Sequence, residues 1–123
     1  MATLSDAARN AAVNGVVDLL DVGGAGKLIF ATSGDVTVAS LTFTTTAFTT
    51  AGSQTQGTAT AGPITSDTNA AGGTIAKCRM QNNAAATVMA PTVSTSGAEI
   101  NISSLVIGAG DTVTVSALTV SIA

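Results

Sequence analysis

The side chains able to do chemistry are few, and their spacing argues against most of what they could do. Cys78 is the single cysteine and the chain has no histidine, so no imidazole is present to activate the thiol. Across residues 74–80 the cysteine alternates with Thr74, Ala76 and Met80, while Ile75, Lys77 and Arg79 fall on the other face. That period predicts a buried, inert Cys78 and an outward pair of cations. Asp67-Thr68-Asn69 followed by Gly72 matches the first, third and sixth places of a calcium loop. Ala71 then occupies a ligand position and Cys78 stands where a bidentate carboxylate is required, so a tight turn is expected instead. Val22-Gly23-Gly24-Ala25-Gly26-Lys27 resembles a phosphate loop only in composition. Asp21 replaces the first glycine of that motif, Leu28 replaces its hydroxyl residue, and the run leaves a helix rather than opening one. A helix C-cap is the expectation. The acids are scattered singly, without the pairing that glycoside hydrolysis uses. No catalytic residue, cofactor or metal site is therefore expected, and the chain is read as non-enzymatic.

Binding chemistry is equally restricted. There is no Trp or Tyr and there are only three Phe, whereas recognition hot spots favour Trp, Tyr and Arg. Charged residues make up 9% of 123 residues against 46% hydrophobic, with a mean hydropathy of +0.50. So few charges leave apolar surface uncovered on an isolated subunit, which marks an interaction site. Self-association is expected. The net charge is −3 and Lys77 with Arg79 is the only basic pair, too small a footprint for nucleic acid. No apolar run is long enough to span a membrane, and the first ten residues lack the basic and apolar regions of a secretory signal. The protein is thus expected to be made in a cytoplasm, where the sequon Asn101-Ile102-Ser103 has no glycosylation role.

The elements that would position these residues follow from periodicity. Ser5 is a suitable N-cap, and Asp6 complements the helix dipole in the first turn. Ala8, Ala12, Val13, Val16, Leu19 and Leu20 fall on one arc at helical spacing, opposite Asp6, Asn10, Asn14, Asp18 and Asp21. One amphipathic helix over residues 5–21 is predicted. After the glycines the period becomes two, predicting a mainly-β sandwich or jelly-roll-like barrel over residues 27–123 within a single domain. Strands are expected at residues 27–31, 36–43, 54–60, 73–80, 84–90, 99–107 and 112–122. Thr32-Ser33-Gly34-Asp35 should turn the first pair, and Gln81-Asn82-Asn83 the hairpin before residue 84, because Asn tolerates positive φ.

The alternation slips phase within several of these strands. Val36 and Val38 give way to Leu41 and Phe43, Ile100 and Ile102 to Leu105 and Ile107, and Val113 and Val115 to Leu118, Val120 and Ile122. A slip of one residue sends side chains to the opposite face. Each strand must carry a bulge or be buried on different faces at its two ends.

The segments Leu4-Ser5-Asp6-Ala7-Ala8-Arg9-Asn10-Ala11-Ala12, Thr65-Ser66-Asp67-Thr68-Asn69-Ala70-Ala71-Gly72-Gly73-Thr74 and Ser96-Gly97-Ala98-Glu99-Ile100-Asn101-Ile102, with the closing Ala109-Gly110-Asp111-Thr112-Val113-Thr114-Val115, carry a resemblance. In texture and order they resemble small structural proteins of tailed bacteriophages and prophages. The resemblance implies a virion component, in particular a capsid decoration (cement) protein bound as a homo-oligomer to the major capsid protein on the outside of the shell. A tail or head–tail-joining component is the alternative within that class, and a receptor-binding module the alternative outside it. The candidate contact residues are Lys77 and Arg79, the acidic end of the helix at Asp18 and Asp21, and the apolar Val16 and Leu19.

Overall fold

The computed structural model describes residues 5–44, 48–49, 58–115 and 118–121. Helix α1 spans Asp6–Asp18 and tightens into a 3-10 turn at Leu19–Asp21. Ser5 caps it from an extended backbone, its Oγ accepting from Ala8 N at 3.1 Å, and Asp6 pairs with Arg9 one turn on. The buried stripe is Val13, Val17 and Leu20, which differs from the predicted arc. Val17 lies inside, Val16 is half-buried, and Leu19 is 51% exposed. Val13, Val17 and Leu20 stand four and three residues apart, the spacing of one helical face, so the buried face is rotated toward Val17 relative to the predicted arc.

The strands are β1 (Lys27–Ala31), β2 (Thr37–Phe43), β3 (Phe48–Thr49), β4 (Thr58–Ala61), β5 (Ile64–Thr65), β6 (Gly73–Thr74), β7 (Lys77–Gln81), β8 (Thr87–Met89), β9 (Val93–Ser94), β10 (Ile100–Asn101), β11 (Val106–Ile107) and β12 (Thr119–Ser121). The fold is mainly β. An antiparallel five-stranded sheet runs in the order β5-β2-β1-β7-β8, and no barrel closes among the described residues. Three smaller sheets accompany it: β12-β4-β3, β11-β6, and the parallel pair β10-β9. The register stacks Leu28 beside Leu41 and Met80, and Phe30 beside Ala39 and Cys78, on the core side of the large sheet. Val13, Val17 and Leu20 of the helix, Ala59 and Leu118 at the β4–β12 layer, Ile100 of β10, and Ile75 and Val113 from the connecting segments complete one cluster. Burying a side chain such as Phe30 or Leu28 stabilises the fold by about 1.5–3 kcal/mol.

The phase slips resolve in two ways. In β2 the register jumps from Phe30↔Ala39 to Ala31↔Thr37, so Val38 is the extra residue of a bulge and is buried beside Ala39. Elsewhere the predicted strand breaks. Residues 73–80 become β6 and β7, because Gly73 and Thr74 pair with β11 while Ile75 N bonds Leu105 O and Ala76 N bonds Ala31 O as the chain crosses between sheets. Ile75 is therefore buried and Thr74 and Ala76 exposed, the reverse of the simple alternation. Residues 99–107 likewise divide into β10 and β11, which pair with different partners. In residues 112–122, Val113 makes an isolated bridge to Asp67 and pairing resumes at β12; Ile122 lies outside the described residues. Of residues 54–60, only 58–60 are described, and they belong to β4.

Asp67 organises its turn through its carboxylate. Its Oδ2 accepts from Ser40 N at 2.9 Å, beyond the reach of the short β5, and its Oδ1 accepts from Asn69 N at 3.0 Å. The carboxylate thus completes the edge of β2 and closes the turn.

The β1–β2 and β7–β8 hairpins are turned by the same device. Thr32 N bonds Val36 O, Asp35 N bonds Thr32 O, and Thr32 Oγ1 accepts from Val36 N. Asn82 N bonds Ala86 O, Ala85 N bonds Asn82 O, and Asn82 Oδ1 accepts from Ala84 N and Ala86 N. The left-handed residue is Asp35 in the first turn (φ 68°) and Ala85 in the second (φ 65°). The sequence expectation placed that conformation on an Asn. Asn82 instead serves the turn through its side-chain oxygen, and an alanine carries the strain. Replacing Ala85 with Gly is expected to raise stability by about 1 kcal/mol, read as a higher urea midpoint, since glycine adopts this region without a Cβ penalty.

Candidate interaction surface

Strand β7 is laid against β1 so that Lys77 sits beside Ala31, Arg79 beside Ile29 and Gln81 beside Lys27. By strand alternation these residues share the face opposite Cys78 and Met80. Lys27, Lys77 and Arg79, which are three of the chain's four basic residues, thus lie on the outer face of the large sheet. The β1–β2 turn brings Asp35 over them. Its Oδ1 lies 2.7 Å from Arg79 Nη1 and 3.7 Å from Lys77 Nζ, and Arg79 Nε also donates to Gln81 Oε1 at 3.2 Å. The Arg79 side chain is held from two sides, with its arm half-buried.

Beside β7 the sheet is incomplete. Strand β8 pairs with β7 only at Met80 and Gln81, and the chain then leaves through Ala90 and Pro91. The gap is an open groove of about 770 Å³ whose lining includes Lys77 and Arg79 of β7, Pro91 and Val93 of the departing chain, and Asp35. Cys78 also lines it, its Sγ donating to Pro91 O at 3.2 Å.

Burial pushes the Cys78 thiol up from its ordinary 9.0 to about 12, and the Glu99 carboxylate adds to the shift. The thiol therefore stays protonated and is a poor nucleophile. In the folded protein it is expected to resist alkylation by iodoacetamide at pH 8 and to react only on denaturation. The linkage has a definite sign. Below the unfolded thiol's value near 9.0 the group favours neither state, and from there toward about 12 the unfolded chain alone loses the proton. Stability should fall across that window.

The predicted apolar and acidic contacts lie at the C-terminal end of the helix. Asp18 is exposed on the last turn of the helix and Asp21 half-buried in its 3-10 extension. Leu19 sits between them, and Val22, which the sequence pattern did not single out, is 53% exposed immediately after. Val16 is half-buried on the same helix. The helix lies on the core side of the large sheet and packs against β4 and β12. Its acidic end meets the β7–β8 hairpin, where Asn83 Nδ2 donates to Gly23 O at 3.0 Å, while Lys77 and Arg79 stand on the outer face of the sheet. The structure brings Lys77 and Arg79 together, and separately Asp18, Leu19 and Asp21. Asp35 as the partner of the cations was missed, since nothing local in the sequence marks a contact 44 residues away.

Among the described residues no group of His, Cys, Asp or Glu is placed to hold a metal ion, and no described helix is long and apolar enough to cross a membrane. No protein-family model, curated protein or solved structure matches the chain.

Proposed function

We propose that this chain is a non-enzymatic structural protein of a bacteriophage virion, a decoration protein that associates with itself and bridges capsid subunits on the outside of the shell. The observation that carries the reading is the pairing of exposed aliphatic side chains with charge at separated places, in a chain with only 9% charged residues. Leu19 and Val22 flank the acidic helix end, and Val36, 65% exposed, follows Asp35 at the cationic face. Two such surfaces suit a subunit that must touch more than one neighbour. The resemblance in residues 4–12, 65–74, 96–102 and 109–115 supplies the virion context. Each contact can be weak, because many copies on one shell add up through multivalent attachment.

A cementing subunit acts by resisting separation of its neighbours, so its effect is read on particles. Particles assembled without the protein are expected to lose integrity at lower temperature and in low ionic strength, and to regain resistance when the purified protein is added back. Equal resistance with and without it would overturn cementing, and would leave a tail or joining role as the assignment to pursue.

A further inference from the structure

The two candidate surfaces complement each other. One is an acidic projection: Asp18 and Asp21 stand at the negative end of the helix dipole, and Leu19 and Val22 present about half their surface to solvent between and beside them. The other is a recess: the groove left where β8 parts from β7, whose lining combines Lys77 and Arg79 with the apolar Pro91 and Val93. Arg9, the one base not on the outer sheet face, pairs with Asp6 at the far end of the helix. The groove is thus where this acidic chain concentrates positive charge among its described residues, beside an apolar wall.

We propose that the helix end of one copy, Asp18 with Leu19 and Val22, seats in the β7 groove of a second copy against Lys77 and Arg79. The carboxylate meets two cations that Asp35 already holds in place, so little side-chain freedom is lost on contact. The aliphatic pair leaves water for the Pro91–Val93 wall. Because projection and groove are built from different residues of the subunit, the contact is heterologous. It propagates from copy to copy and closes into a ring or continues as a row. The inference specifies the self-association in the function proposed above and rests on that reading for nothing else.

Sedimentation velocity of the purified protein at tens of micromolar, in low and high salt, tests it without any shell present. The unaltered protein is expected to sediment as an oligomer that salt weakens. Two variants remove one half each: Lys77→Gln with Arg79→Gln for the groove, and Asp18→Lys with Leu19→Ser for the projection. Each alone is expected to associate at least about tenfold more weakly, the scale of losing a close interfacial charge pair. Mixed in equal amounts, they retain one good projection and one good groove, and are expected to form a one-to-one dimer that grows no further. An unaltered protein that is monomeric, variants that associate as it does, or a mixture that stays monomeric would each overturn the contact. Circular dichroism melting checks that the variants fold. Should a double variant melt early, Leu19→Ser alone, at an exposed site, gives the same reading. Shell binding is judged separately on particles, so a failed contact here leaves it standing, and a failure on particles leaves this contact standing.

Discussion

Val17→Asp is expected to leave little folded subunit, whereas Leu19→Asp, two residues on, should leave the fold intact. Val17 is 1% exposed and packs in the cluster shared by α1 and the large sheet, and Leu19 is 51% exposed. An Asp at position 17 would lose the burial of the valine and place a carboxylate where no polar side chain is buried among the described residues. The carboxylate must stay ionised without a partner or take up a proton, and either route brings the cost to about 4 kcal/mol or more. That is a large part of the 5–15 kcal/mol or so by which domains are stable. At position 19 the new charge faces water, and the change should lie within about 0.5 kcal/mol. With no Trp or Tyr in the chain, urea unfolding followed by far-ultraviolet circular dichroism is the measurement. Equal midpoints for the two variants would show that the helix does not pack through Val17.

Gly26→Ala is the second large effect. A Cβ at Gly26 would lie 2.7 Å from Leu20 O and 2.7 Å from Gln81 O, both backbone atoms. Neither can move freely: Leu20 belongs to the 3-10 turn, and Gln81 pairs with Lys27 in the large sheet. Gly26 cannot retreat either, because its own carbonyl accepts from Phe43 N at 3.0 Å. The glycine thus lets the helix end, β2 and the β7–β8 hairpin converge, and a methyl group there should cost about 3 kcal/mol. Thermal melting reads it directly. A variant as stable as the parent would mean that these three elements do not meet at residue 26.

That convergence also marks how far the sequence could be read. The helix start was legible because it is local: Ser5 and Asp6 specify an N-terminus through their own side chains. Strand β1 was legible to the residue, and the slip from Val36 and Val38 to Leu41 and Phe43 announced the bulge at Val38. What the sequence hid was decided by distant partners. Whether residues 73–80 form one strand or two depends on Leu105 and Ala31 drawing Ile75 and Ala76 away from a common sheet, and alternation carries no record of that competition. The left-handed turn residue was misplaced for a related reason. Asn82 has the side chain suited to positive φ, yet its oxygen contributes more by accepting from Ala84 and Ala86, which leaves Ala85 in the strained place. Of the candidate surface, the shared face of Lys77 and Arg79 followed from period two. Asp35 above them and the groove beside them depend on where two hairpins lie in space.

The central claim is that this chain is a structural component of phage heads. Quantitative mass spectrometry of purified virions, separated into heads and tails, tests it most directly. The account predicts the protein in the head fraction, in many copies and in fixed proportion to the major capsid protein. Its absence from purified virions, or its confinement to the tail fraction, would contradict the account.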